Sequence, residues 1–291
     1  MSEAQLNTGL FALLGLLVGS FLNVVVHRLP LMLERQWRRD AQDMLAAADS
    51  VQTPEAVPAA EPKADRFNLW TPASRCPHCS HQIRWYENVP VFSWLFLGGR
   101  CSQCRARISV RYPVVEIANS LLWAYCIHRW GLGPTGLAWC FFASMLLTAA
   151  LIDWDTTLLP DDLTLPLLWA GLLCSAMGWI AVPLKDALFG AAIGYMVLWL
   201  IYWAFKLLTG KEGMGYGDFK LLAALGAWFG WQALIPIALF SSVVGAVIGI
   251  ALKIFSSLRE GGYIPFGPFL AGAGFLVMWF GTGIVDRLLQ P

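Results

Sequence analysis

The chain has 291 residues, of which 57% are hydrophobic and 13% charged, against about 45–50% and about 25% in an ordinary soluble domain. A water-soluble globular protein is thereby excluded. Formal net charge is +1, which points neither to nucleic acid nor to acidic partners.

Eight apolar segments follow one another at residues 8–27, 113–130, 134–153, 161–182, 186–208, 218–230, 232–254 and 264–288. Their length and composition predict an all-α polytopic membrane protein with about eight membrane helices. The first segment has no basic stretch before it and runs straight into His27-Arg28 without a small-residue cleavage site, so it is expected to stay as an anchor. The sixth is short for a span and carries Gly226 and Gly230, which weaken a helix; it is expected to enter obliquely or stop part-way.

Between the first two segments lies a polar block, residues 28–112, holding twelve of the twenty Lys and Arg. The expected organisation is a first membrane helix (1–30), a linker with a four-cysteine domain (31–112) and a membrane core (113–291). Residues 31–39 suit a short amphipathic surface helix. Residues 40–65, rich in Ala, Pro and acidic side chains, suit a flexible linker with at most a helical turn at 44–48. No internal repeat is evident. With the N-terminus outside, the inner regions carry seventeen Lys and Arg against three outside, so the positive-inside rule places the polar block in the cytoplasm.

That block contains Cys76-Pro77-His78-Cys79 and Cys101-Ser102-Gln103-Cys104. Each pair can bend round one ion, and four thiolates close a tetrahedral structural zinc site; on the reducing side of the membrane, disulfides are disfavoured. His78 and His81 are expected to be solvated, since the four-Cys set is complete without them. Cys126, Cys140 and Cys174 lie in apolar segments as packing residues.

Ionisable groups at the edge of lipid are costly and mark function. Asp153 and Asp155 end the third segment, Asp161 and Asp162 begin the fourth, and Asp218 begins the sixth. The predicted topology puts all five at one boundary. Two such carboxylates brought together would share a proton, one activating water as a general base while the other donates to a scissile carbonyl. Gly213, Gly215 and Gly217 would let an extended substrate backbone approach Asp218. The competing expectation is that Asp161, Asp162 and Asp218 cap their helices. Asn23 and His27, four apart on one helical face, are expected to hydrogen-bond within the helix bundle, with substrate binding as the alternative. Lys220 suits either the site or lipid headgroups. A proton-coupled transporter using Asp153 and Asp218, and a zinc-bearing scaffold, are the other readings. A transporter would place its carboxylates nearer mid-membrane and usually shows repeated halves.

Six motifs in order, GSFLNVVVHRLP (19–30), the two CxxC pairs, RYPVVE (111–116), LIDWDTTLLPD (151–161), GMGYGDFK (213–220) and IPFGPFL (264–270), make the chain resemble the type IV prepilin peptidases, which belong to the GxGD intramembrane aspartic proteases. The resemblance implies that Asp153, rather than Asp155, pairs with Asp218. It implies a multi-pass enzyme of the bacterial inner membrane that cleaves prepilins and type II secretion pseudopilins after a Gly. The same enzyme would then methylate the new N-terminus with S-adenosylmethionine. No strand followed by G-x-G-x-x-G is present, so the methyl donor must bind outside an ordinary nucleotide fold. Glu116, the one carboxylate in the second apolar segment, is the candidate to attract the sulfonium or the substrate amine, against a plain salt bridge with Arg111. The acidic stretch 153–162, with Asp155 and Asp162, would attract the basic leader.

Overall fold

A computed structural model describes residues 2–50, 67–254 and 264–281. Among these residues the chain is helical, with no β-strand and two isolated β-bridges. In order it forms α1 (Glu3–Ser50), α2 (Phe92–Phe96), α3 (Arg111–Trp130), α4 (Pro134–Thr156), α5 (Asp161–Ala176), α6 (Leu184–Thr209), α7 (Tyr216–Phe229), α8 (Leu234–Ile254) and α9 (Gly267–Phe280), with single 3-10 turns at Trp85–Asn88 and Trp231–Ala233. Each of the eight apolar segments carries a helix, and residues 282–288 of the last segment lie outside the described residues. Four helices, α1, α4, α6 and α8 with the 3-10 turn before it (Trp231–Ile254), are long and apolar enough to cross a membrane.

Two boundaries differ from the sequence expectation. Residues 31–48 do not break into a surface helix and a linker, because α1 runs unbroken to Ser50 through Pro30. The stretch is dense in Leu, Met, Arg, Gln, Glu and Ala, all strong helix formers. Residues 51–65 of the expected linker lie outside the described residues. At the other boundary, α5 stops at Ala176, not 182. Gly178 takes a left-handed φ of 69°, the Trp179 N–H donates to the Cys174 carbonyl (2.8 Å) and the Gly178 N–H to the Ser175 carbonyl (3.1 Å). This is a Schellman stop, which needs a glycine at the left-handed position.

The chain divides into two compact units, Met1–Gly15 with Ala118–Pro291, and Leu16–Ile117. At the centre of the first unit is α7, packed by α5, α6 and α9. Every residue from Leu221 to Phe229 is buried. Its fourteen residues span about 21 Å, too little for a bilayer of about 30 Å, and a helix apolar all round belongs in a core. Gly190 and Gly226 let α6 and α7 touch backbone to backbone, since a Cβ on either would collide with the other's carbonyl. Such contacts favour helix association in lipid. Both polar atoms of the buried Asn119 are partnered: its Nδ2 donates to the Gly15 carbonyl and its Oδ1 accepts from Ser144, both at 2.8 Å. Burying an amide this way avoids the cost of unpaired polar atoms.

In the second unit, Arg28 is buried on α1 and donates to the carbonyls of Asn68 (3.0 Å), Leu69 (3.4 Å) and Pro72 (2.7 Å). Asn23 likewise donates to the Tyr112 carbonyl at 3.1 Å, the expected bundle role, whereas His27 is exposed.

Candidate active site and metal centre

Asp153 lies in the last turn of α4, 4% exposed, and Asp218 is the third residue of α7, 7% exposed. The two carboxylates interact electrostatically. One turn past Asp153 the chain reverses sharply. Thr157 adopts a left-handed φ of 56° and its N–H donates to the Asp153 carbonyl at 2.8 Å. A β-branched residue there is an outlier of the kind that clusters at functional sites. The reversal drives Leu159 inward against two glycines. A Cβ on Gly217 would lie 2.5 Å from Leu159 Cβ, and one on Gly267 3.0 Å from Leu159 Cδ1. Leu159 thus ties the start of α7 and the start of α9 to the end of α4.

Gly267 was not among the residues expected at the site, although it stands in the IPFGPFL motif. Its N–H donates to Asp153 Oδ2 at 2.8 Å, and a Cβ there would sit 2.6 Å from the same oxygen. A backbone donor at a helix N-terminus holds a carboxylate without conformational freedom of its own.

The other carboxylates separate from this pair. Asp155 and Asp162 are exposed. Asp161 binds Lys220, Nζ to Oδ1 2.6 Å and to Oδ2 2.7 Å. The capping alternative fails: the N-cap positions of α5 and α7 are Pro160 and Gly215, and neither helix has a side-chain cap. The glycine expectation also needs correction. Gly217 is small to admit Leu159, and Gly213 because a Cβ would lie 2.9 Å from the Phe205 ring. Only Gly215 of the three has open space at its α-carbon, nothing lying closer than 4.0 Å.

In the second unit the sulfurs of Cys76, Cys79, Cys101 and Cys104 lie within 4.8 Å of one another, with Cys76 to Cys104 at 3.7 Å and Cys79 to Cys101 at 4.0 Å. Four thiolates about 2.3 Å from a zinc ion would stand about 3.8 Å apart, so the donor set can hold a metal ion. The Cys79 backbone N–H, then that of His78, bring the Cys76 thiol down to about 6, while burial and the facing sulfurs of Cys104 and Cys76 push Cys79 up to about 12.

Here a repeat emerges that the sequence expectation missed. Around Cys76, its own N–H donates to the His81 carbonyl, Ser80 N–H to the Cys76 carbonyl and Ile83 N–H to the Ser74 carbonyl. Around Cys101, the same three bonds join Cys101 to Ala106, Arg105 to Cys101 and Ile108 to Gly99. Bridges Arg75 to Gln82 and Arg100 to Arg107 close both knuckles, and Ser80 and Arg105 share a positive φ. The matching letters are RCPHCSHQI and RCSQCRARI.

His81 is not simply solvated. Its Nε2 lies 3.2 Å from Glu87 Oε2, which also accepts from the Arg84 N–H at 2.9 Å. The Ser102 hydroxyl first, and the Arg84 N–H second, hold Glu87 down at about 2. Glu116 is buried and accepts the Val91 N–H at 2.7 Å. Val91 occupies φ 60°, ψ −50°, and Phe92 N–H donates to the Pro90 carbonyl at 2.6 Å, making a γ-turn of the strained, positive-φ kind.

Residues 13–130 match the bacterial peptidase A24 N-terminal domain and residues 140–250 the type IV leader peptidase family. A prepilin leader peptidase/N-methyltransferase of Stutzerimonas stutzeri is 52% identical, covering 95% of this chain and 92% of the relative. Proteins of the same name from Pseudomonas aeruginosa (50%; 96% and 92%) and Burkholderia pseudomallei (47%; 96% and 88%) are similar along their length. No solved structure matches significantly. These likenesses support the peptidase reading and give the transporter alternative none. Two domain matches in register with the sequence motifs, and half-identity over nearly the full length, show that the chain belongs to the type IV leader peptidase family.

Proposed function

We propose that the chain is a membrane aspartic endopeptidase that removes the leader of type IV prepilins and type II secretion pseudopilins after a Gly, and then N-methylates the exposed residue. The observation that supports the first activity is that two carboxylates, Asp153 at the end of α4 and Asp218 at the start of α7, are both buried where Leu159 ties those helix ends together, in a chain half identical to prepilin leader peptidases. Sharing one proton, the pair takes a proton from water as its oxygen bonds to the scissile carbonyl carbon, while the protonated member gives its own to the carbonyl oxygen. Collapse of the tetrahedral species breaks the C–N bond, and the leaving amine takes up a proton. Gly267 N–H fixes Asp153 Oδ2 as an acceptor through this sequence.

The second activity follows the names of the relatives. S-adenosylmethionine, when bound, supplies an electrophilic methyl carbon, and the chain's part is to align a neutral amine with it. Glu116 contributes through the Val91 turn that its carboxylate holds. Zinc on Cys76, Cys79, Cys101 and Cys104 would be structural, four thiolates leaving no open coordination position. The organisation we favour is a first membrane helix (1–30), a cytoplasmic linker and zinc domain (31–112) and a membrane peptidase core (113–291). The N-terminus would be periplasmic and the active site at the cytoplasmic face of the inner membrane.

Incubation of the purified protein in detergent with a prepilin and S-adenosylmethionine tests this. The mature pilin should appear with the mass of one added methyl. Leader removal without that gain would refute the methyltransferase half, and an intact prepilin the whole.

A further inference from the structure

The end of α6 grips the chain that leads into α7. Tyr202, Phe205, Lys206 and Thr209 follow one another at i, i+3, i+4 and i+7, so they lie along one face of the helix. Each meets the segment that follows. Lys206 Nζ donates to Glu212 Oε1 at 2.8 Å and to Tyr202 Oη at 3.1 Å, and the Tyr202 hydroxyl donates to the same Glu212 oxygen at 3.2 Å. The Thr209 hydroxyl accepts the Lys211 N–H at 3.3 Å, and Gly213 lies so near Phe205 that a Cβ would stand 2.9 Å from the ring.

This grip has a buried anchor. Tyr202 is 2% exposed, and a phenol hydroxyl at that depth needs partners; Glu212 accepts from it and Lys206 donates to it. An ion pair whose side chains are 34% and 68% exposed would by itself hold little. Tied to a buried hydroxyl, it fixes the place of a loop. The Tyr202 ring also packs on Tyr216, with centroids 5.3 Å apart, and on Phe219 at 5.7 Å, the residues on either side of Gly217-Asp218. The ring thus braces the first turn of α7 while the hydroxyl braces residues 211–213. Between the braced points stands Gly215, exposed and extended at φ −83°, ψ 153°, with nothing closer than 4.0 Å to where a Cβ would lie.

We infer that Tyr202, Lys206 and Glu212 are positioning residues that present the Gly215 backbone to the substrate. An extended peptide pairs its main chain with extended backbone, and a glycine lets it come close. Such pairing adds most to binding when the loop is already held in place, because ordering a loop on binding subtracts from affinity. The hydroxyl and the ion pair therefore act on peptide binding, whereas the Tyr202 ring acts on Asp218 through Tyr216 and Phe219. The inference rests on the peptidase half of the proposed function.

The test is steady-state cleavage of a purified prepilin by the full-length protein in detergent, over a range of prepilin concentrations, with melting temperature as the folding control. Tyr202→Phe keeps the ring and removes the hydroxyl, and Glu212→Gln removes the charge from an exposed side chain. Each should raise KM by roughly 2- to 10-fold, the effect of losing one hydrogen bond, with little change in kcat or melting temperature. Lys206→Glu combined with Glu212→Lys rebuilds an ion pair in the same place and should bring KM back toward the wild-type value, which neither reversal alone should do. A wild-type KM in both Tyr202→Phe and Glu212→Gln would overturn the inference and leave the peptidase reading standing. So would a joint fall of kcat and melting temperature in them, which marks a purely structural role. If the wild-type protein leaves prepilin uncut, the peptidase reading falls and the inference with it.

Discussion

At Gly267 the absence of a side chain lets a backbone N–H reach Asp153 Oδ2 at 2.8 Å, where a Cβ would stand 2.6 Å from the same atom. Gly267→Ala must therefore push Asp153 aside, and a shift of about 1 Å costs on the order of 10²-fold in rate. Cleavage should fall by about that factor with zinc content unchanged, in a timed mass assay of leader removal. Asp153→Asn and Asp218→Asn should each abolish cleavage, because an amide neither takes nor holds the shared proton. Methylation of a pre-cleaved pilin should persist in both, since transfer to a neutral amine needs no water-activating pair. Retained cleavage in either variant would move the active site to Asp155 or Asp161. The aspartates were legible because charge beside lipid is rare, and the resemblance separated Asp153 from Asp155. Gly267 was not, for its contribution is a backbone atom brought 114 residues along the chain, which no side-chain pattern announces.

Among the elements, each of the eight apolar segments carries a helix among the described residues, since runs of that composition leave lipid-facing backbone no other way to satisfy its hydrogen bonds. Ends were harder to read. Trp179, Ile180, Ala181 and Val182 continue the apolar run beyond α5, yet Gly178 turns the backbone left-handed before them. The repeated knuckle escaped notice because nine letters shared at four positions are fewer than a sequence comparison weighs, while the backbone bonds repeat throughout. The contact between α6 and α7 offers the sharpest check. Gly190→Val places a branched side chain against the Gly226 carbonyl, and overpacking of this kind costs about 1–3 kcal/mol. The variant's melting temperature in detergent should drop by several degrees. By contrast Lys220→Ala, which removes a pair whose Asp161 side chain is 55% exposed, should change it little.

For the molecule as a whole, orientation and metal content are the measurable quantities. Seventeen Lys and Arg against three predict that alkaline phosphatase fused within residues 40–65 stays inactive; an active fusion would reverse the topology and the shared depth of the five aspartates. One zinc per chain is expected by elemental analysis. Cys76→Ser should lose it and melt earlier, because it removes one of the four sulfurs that close the site. A variant with full zinc and full stability would remove the metal from the account.

The repeated knuckle also sets what would depend on a metal. The chain between Cys79 and Cys104 is held at both ends by sulfurs of one four-thiolate set, and the 3-10 turn Trp85–Asn88 and α2 lie inside it. Removal of a bound ion by a chelator would release both ends together, so protease cleavage between residues 80 and 103 should quicken, read by mass analysis of the fragments. An unchanged digestion rate would mean that the backbone bonds of the knuckles hold the span without the metal.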